Sequence, residues 1–117
     1  MPAVSIMQRK LTLAVFCAMA MLPVSSSQAQ QATEVRVTYS NGQFQPSELR
    51  AAADKPIAIR VKNLDAKAME FESTSLRVEK VVAAHSEGVI NVRALKPGRY
   101  EFYDDFNDKA RGALTVQ

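Results

Sequence analysis

The chain has 117 residues, with fifteen basic and twelve acidic side chains, one cysteine and one histidine. This small excess of positive charge does not favour nucleic-acid binding, and one histidine with one cysteine supplies too few groups for Ser/His/Asp or Cys/His catalysis. The sequence also lacks a glycine-rich phosphate loop and zinc-ligand spacing, so an enzymatic role is not favoured.

The first 29 residues have the features of an export signal. Arg9 and Lys10 form a positive n-region, and residues 11–22 are an almost unbroken apolar run that is followed by small residues suited to cleavage after Ala29. The run is shorter than the roughly twenty apolar residues that span a bilayer. We therefore predict a cleaved signal peptide over 1–29 and no membrane anchor after processing.

Removal of this segment changes what the composition implies. Arg9 and Lys10 are two of the fifteen basic residues, so thirteen remain against twelve acidic ones and the net charge falls to about +1. Cys17 is removed as well, which leaves the predicted domain, residues 30–117, with no thiolate ligand and no disulfide.

The predicted domain has the period of β-strands. Apolar and polar residues alternate in short runs separated by turn signals such as Asn41-Gly42 and Pro97-Gly98, which favours an all-β sandwich or barrel. The runs lie within 35–39, 57–61, 78–82, 90–92 and 100–102. Only 47–53 and 65–69 have a composition that could hold a helical turn.

Several stretches carry a family resemblance. Residues 96–103, a Pro-Gly turn leading into a Tyr-x-Phe strand, together with 112–116 resemble the end of a cupredoxin. More narrowly, the chain resembles the cupredoxin-like periplasmic component of bacterial ferrous-iron uptake systems, of the EfeO type. The stretches that carry this narrower resemblance are 44–49, 61–65, 70–73, 76–82 and 95–102.

The resemblance implies a cupredoxin-like Greek-key β-sandwich located in the periplasm. It also implies a copper or iron ion as cofactor, and a periplasmic iron-binding protein and an iron permease as partners. A role in oxidising ferrous iron is implied by the resemblance alone. The oligomeric state is left open.

The copper ligands of the family are missing from this sequence. By the resemblance, the cysteine position falls on Asp104, the following histidine on Asn107, the axial methionine near Ala110 and the first histidine on or beside Met69. A blue-copper centre needs two imidazoles and a thiolate. We therefore expect no blue-copper centre.

Side-chain alternation suggests where a different metal site could form. If Phe102 faces the core, Asp104 faces it too, and Met69 does so if Phe71 does. A core-facing carboxylate is costly unless it is paired or coordinated, and Asp105 and Asp108 follow on the same loop. We hypothesise an acidic or Met/carboxylate site at this pole.

Glu70 and Glu72 alternate with these inward residues, so we expect them to form an exposed acidic patch for iron or for a partner. Oxygen ligands suit iron, manganese or calcium, whereas a thioether favours Cu(I). The metal-site hypothesis therefore comprises two groups: Met69 and Asp104 with Asp105 or Asp108 at the pole, and Glu70 and Glu72 on the opposite face.

Purely structural interpretations are also open. The aspartates of 104–108 could form a solvated turn, Met69 could be core filler, and His85 could be an ordinary surface residue. Glu70 and Glu72 could form cross-strand salt bridges with the charged residues of 77–80. On these interpretations the protein is a metal-free periplasmic interaction module.

Overall fold

A computed structural model describes residues 32–117; the predicted signal peptide, its cleavage after Ala29 and Cys17 lie outside them. The described residues form strands and turns only, which confirms the all-β prediction. Their nine strands are β1 (Thr33–Ser40), β2 (Gln43–Gln45), β3 (Glu48–Ala51), β4 (Ile57–Asn63), β5 (Met69–Ser73), β6 (Val78–Val82), β7 (Glu87–Val92), β8 (Gly98–Asp104) and β9 (Asn107–Val116).

The strands form a two-sheet sandwich. One sheet has four strands in the order β2-β1-β4-β7, and the other has five in the order β3-β9-β8-β5-β6. The β1–β4 and β3–β9 pairs are parallel, and the other pairs are antiparallel. Between residues 32 and 117, no helix of the length and apolarity needed to cross a membrane is found.

The core lies between the two sheets and is built by period-two alternation. In β4, Ile57, Ile59 and Val61 are buried, while the side chains between them are more exposed. The rings of Phe71 and Phe102 stack across the five-stranded sheet with their centroids 4.8 Å apart. The inward-facing residues that this alternation selects therefore form one hydrophobic core shared by the two sheets.

Neither segment that could hold a helical turn contains a helix. Leu49 and Ala51 alternate with exposed residues in β3, which pairs in parallel with β9. Residues 65–67 form bends, and β5 begins at Met69. Burial and sheet pairing decide these segments, because intrinsic helix propensity is weak enough for tertiary contacts to override it.

Strand β5 lies between β6 and β8 and determines which side chains meet. Phe71 is paired with Asp104 of β8, and Glu72 is paired with Tyr103. Met69 and Phe71 are fully buried in the core, so the alternate residues Glu70 and Glu72 lie on the outer face of the sheet. Strand β5 therefore presents apolar side chains to the core and carboxylates to the outer face of the sheet.

We predict that Gly112→Ala destabilises the domain. A Cβ atom at Gly112 would lie 2.5 Å from the Phe102 ring and 2.8 Å from the Ser47 carbonyl oxygen. Overpacking of this kind costs about 2 kcal/mol of unfolding free energy, or roughly 10 °C in melting temperature for a domain of this size. Gly98→Ala is the control, since its nearest contact would be an ordinary 3.5 Å. Equal melting temperatures for both variants would contradict the packing described.

Candidate metal site

Asp104 faces the core, as predicted, and its charge is compensated by hydrogen bonds. It is 2% exposed. Its Oδ2 atom accepts a 2.6 Å bond from the Tyr39 hydroxyl, and Oδ1 accepts bonds from the backbone N–H groups of Glu70 (2.9 Å) and Phe106 (3.0 Å). Three donors satisfy a buried carboxylate without a cation.

The Tyr39 hydroxyl is held in its protonated, donating form. Burial, followed by the hydrogen bond to Asp104, raises the pKa of Tyr39 to about 12. Both effects disfavour the phenolate, because it would be a second buried anion beside the carboxylate. Tyr39 and Asp104 therefore form a buried hydroxyl–carboxylate pair that joins the two sheets.

Of the other residues predicted for the pole, Met69 shares the inward face of the sheet with Asp104, whereas Asp105 and Asp108 do not. Met69 is fully buried within the hydrophobic core, in agreement with its interpretation as core filler. Asp108 is exposed on β9. Asp105 is separated from Asp104 by the alternation of the chain and contributes to the outer face of the sheet.

Three carboxylates converge on that outer face. One oxygen each from Glu70, Glu72 and Asp105 lie within 4.8 Å of one another. Two oxygens bound to a single cation at about 2.4 Å are at most about 4.8 Å apart, so these groups are close enough to share an ion. We call these three residues the outer cluster.

The backbone brings the outer cluster together from two strands. Glu70 and Glu72 are two residues apart on β5 and share a face. Asp105 immediately follows β8, and its N–H group donates a 2.9 Å bond to the Glu70 carbonyl oxygen. This backbone bond therefore holds Asp105 next to Glu70, and their carboxylates lie close together.

Glu70 is the most unusual member, because it is buried although an exposed patch was expected. It is 7% exposed, and none of the hydrogen bonds found in residues 32–117 reaches its carboxylate from an N–H group or a hydroxyl. The Glu79 carboxyl group on β6 contacts it. Contact with Glu79, then burial, then the charges of Asp105 and Glu72 raise the pKa of Glu70 to about 7.

Glu72 experiences the same crowding. It lies directly opposite Glu79 in the β5–β6 pair, and like charges in that position are destabilising. Burial, followed by the charges of Asp105 and Glu79, raises the pKa of Glu72, while the neighbouring Tyr103 hydroxyl lowers it in part. Glu79 is thus a fourth carboxylate at the edge of the outer cluster.

The cross-strand salt bridges considered for this face do not form. None of the ion pairs found in residues 32–117 involves the outer cluster, Glu79, Arg77 or Lys80. Lys80 is paired with Phe71, which faces inward, so alternation directs it away from the face that carries Glu79. The carboxylates of the outer face are therefore not ion-paired, although Arg111 shares this face and lies over the Tyr103 ring at 5.5 Å.

Sequence reasoning placed Glu79 beside Glu70 and Glu72 only as part of possible cross-strand salt bridges and missed it as a fourth carboxylate of this group. The only signal was its position beside Lys80, which suggested a salt bridge. Its proximity to Glu72 depends on the β5–β6 register, which a single sequence does not specify.

Comparison with known proteins identifies the family. A model of the cupredoxin-like domain matches residues 12–116. The chain belongs to this family. It is 36% identical over 84 residues to the uncharacterised protein RP394 of Rickettsia prowazekii (strain Madrid E), covering 71% of this chain and 67% of that protein.

Solved structures agree on the cupredoxin-like fold. The metal-binding domain of the Cu(I)-exporting P-type ATPase CopA of Streptococcus pneumoniae D39 has a TM-score of 0.61 at 16% identity, covering 75% of this chain and 97% of that domain. Auracyanin A, a blue copper protein of Chloroflexus aurantiacus, has a TM-score of 0.63 at 13% identity, covering 74% of this chain and 100% of auracyanin.

The residues at the pole do not fit the blue-copper centre found in this fold. Asp104 stands at the predicted thiolate position with its oxygens bonded to three donors. Asn107 offers an amide in place of an imidazole, and the buried Ala110 offers no ligand atom. An open depression of about 480 Å³ remains beside Asp104, and its lining includes Tyr39, Asp65, Lys67 and Asn107. Without a thiolate or an imidazole, no blue-copper chemistry is assigned to this pole.

We predict that, without added cations, the free energy of unfolding falls as pH rises from about 5 to about 7. Glu70 binds its proton more tightly in the folded state, where its pKa is about 7 instead of the ordinary 4.5, so deprotonation favours unfolding. Glu34 and Glu48 have lowered pKa values and act in the opposite direction, but mainly below this interval.

Urea titrations at several pH values measure this slope. Glu70→Gln should flatten it, whereas Asp108→Asn, an exposed carboxylate outside the outer cluster, should leave it unchanged. Glu72, whose pKa is also raised, acts in the same direction, so a slope in Glu70→Gln as steep as that of the wild type would refute the assignment to Glu70.

Proposed function

We propose that this protein is an exported periplasmic accessory protein of ferrous-iron uptake that holds a hard metal cation at the outer cluster. The observation that carries the proposal is the convergence of the Glu70, Glu72 and Asp105 carboxylates within 4.8 Å, where no N–H or hydroxyl donor from residues 32–117 reaches the carboxylate of the buried residue Glu70. A bound cation would supply the missing compensation.

The ligand atoms favour iron or manganese over Cu(I). All three members of the outer cluster offer carboxylate oxygens, and the group contains neither a thiolate nor a thioether. Carboxylates suit hard divalent cations, whereas soft sulfur ligands select Cu(I). Iron is our choice because the resemblance to ferrous-iron uptake components supports it.

The position of the outer cluster suits delivery of a metal rather than its permanent storage. Glu70 is buried, Glu72 is half-buried and Asp105 is exposed, so one side of the cluster is open to solvent. A cation can enter and leave from that side without opening the core. We propose that a periplasmic iron-binding protein and an iron permease are the partners in this transfer.

We expect the purified protein to bind Fe²⁺, under anaerobic conditions, and Mn²⁺ with a dissociation constant below about 1 mM, within the range of protein carboxylate sites. The combined variant Glu70→Gln, Glu72→Gln and Asp105→Asn should lose this binding because it keeps the side-chain shapes but removes the charges. Isothermal titration calorimetry provides the measurement, with Asp108→Asn as the matched control. Wild-type protein that shows no binding tighter than about 1 mM would eliminate the site.

In cells starved of iron, deletion of the gene should slow the uptake of radiolabelled ferrous iron. Complementation with Asp108→Asn should restore the rate, and complementation with the combined outer-cluster variant should not. Uptake that is unchanged by the deletion would reject a role in iron import.

A second candidate function is a metal-free periplasmic interaction module. It is favoured by the three hydrogen bonds that satisfy the Asp104 carboxylate and by the exposed side chains Phe106 (57%) and Leu64 (46%). Calorimetry separates the two functions, since an interaction module would bind no cation at the outer cluster.

A further inference from the structure

We infer that Asp104 is a positioning residue for the outer cluster and acts on it through the backbone from the opposite face of the sheet. The inference rests on the proposed function, because it concerns the geometry of the same cation site. Its elements are the hydrogen bonds of Asp104 to Glu70, Phe106 and Tyr39.

The first link is between Asp104 and the start of β5. Asp104 Oδ1 accepts the N–H group of Glu70 at 2.9 Å, while the Glu70 carbonyl oxygen accepts the N–H group of Asp105 at 2.9 Å. Both backbone groups of Glu70 are thus bonded to two consecutive residues at the end of β8. The Cα atoms that carry two of the three ligands are held in a fixed relation by this pair of bonds.

The second link fixes the β8–β9 turn. The same Oδ1 atom accepts the N–H group of Phe106 at 3.0 Å, two residues further along the chain. A short side-chain bond of this kind stabilises a turn by mimicking a backbone contact. Asp105 lies between the two bonded residues, so its backbone has little freedom to move away from Glu70.

The third link joins this arrangement to the other sheet. Tyr39 belongs to β1 of the four-stranded sheet, and its hydroxyl donates to Asp104 Oδ2 at 2.6 Å. The Tyr39 ring packs edge-on against Phe44 with centroids 5.1 Å apart. Asp104 is therefore anchored at one oxygen to the core and at the other to the backbone that carries the outer cluster.

Asp104→Ala and Asp104→Asn separate this role from simple burial of a charge. Alanine leaves the N–H groups of Glu70 and Phe106 without their acceptor, so the ligands are no longer fixed. Asparagine keeps an oxygen for both N–H groups and can turn its amide nitrogen toward the Tyr39 oxygen. Loss of a group that orients metal ligands typically weakens metal affinity by about 10- to 100-fold.

The test is titration of wild type and variants with Mn²⁺ alone, following free Mn²⁺ by electron paramagnetic resonance, at a temperature where each variant is folded. We expect Asp104→Ala to weaken Mn²⁺ binding by about 10-fold or more and Asp104→Asn to retain most of the affinity. Val92→Ala, a buried substitution on β7 of the other sheet, is the control for lost stability and should bind like wild type.

Equal Mn²⁺ affinity in Asp104→Ala and wild type would overturn the inference and leave the proposed function intact. Absence of Mn²⁺ binding in the wild type would overturn both. Equal weakening in Val92→Ala and Asp104→Ala would also overturn the inference, because affinity would then follow stability alone.

If Asp104→Ala does not fold, amide hydrogen exchange of the wild type tests the coupling between Asp104 and the outer cluster instead. Binding at the outer cluster and closure of the Asp104 hydrogen bonds must reinforce each other if they are coupled. Mn²⁺ should therefore slow exchange of the Glu70 and Phe106 amides, measured by mass spectrometry of peptides that contain them. Exchange rates of these amides that are independent of Mn²⁺ would contradict the coupling.

Discussion

Carboxylates that crowd one face of a β-sheet repel each other, and this constraint governs the outer face of the five-stranded sheet. Glu70, Glu72 and Asp105 meet there with Glu79 at their edge, and no ion pair found in the described part of the chain relieves them. A folded domain can offset such repulsion by retaining protons or by binding a cation. The raised pKa of Glu70 corresponds to proton retention, and the proposed metal site corresponds to cation binding.

Asp104 and Asp105, adjacent residues at the end of β8, lie on opposite faces of the five-stranded sheet and have different roles. Asp104 faces inward and its oxygens accept three hydrogen bonds, at the pole where the family resemblance places the copper ligands. Asp105 faces outward and joins the carboxylates of β5. The chain has thus kept the cupredoxin-like framework, and we propose that its cation site lies on the outer face of the same sheet.

Much of the framework could be predicted from the sequence, because period-two alternation is a local property. The inward direction of Asp104 followed from Phe102, and that of Met69 followed from Phe71. The burial of Glu70 and the proximity of Glu79 could not be predicted, since both depend on strand register. The alternative of cross-strand salt bridges from Glu70 and Glu72 to residues 77–80 also depends on register, and the sheet directs Lys80 to the other face.

The location of the cation is the central claim, and anomalous X-ray diffraction from crystals grown with Mn²⁺ tests it most directly. Data collected at the manganese absorption edge should show one peak bridged by the carboxylates of Glu70, Glu72 and Asp105. The Asp104 oxygens should keep their bonds to Tyr39 and to the backbone. A peak beside Asp104 and Met69, or an outer cluster that shows no peak at saturating Mn²⁺, would contradict the account.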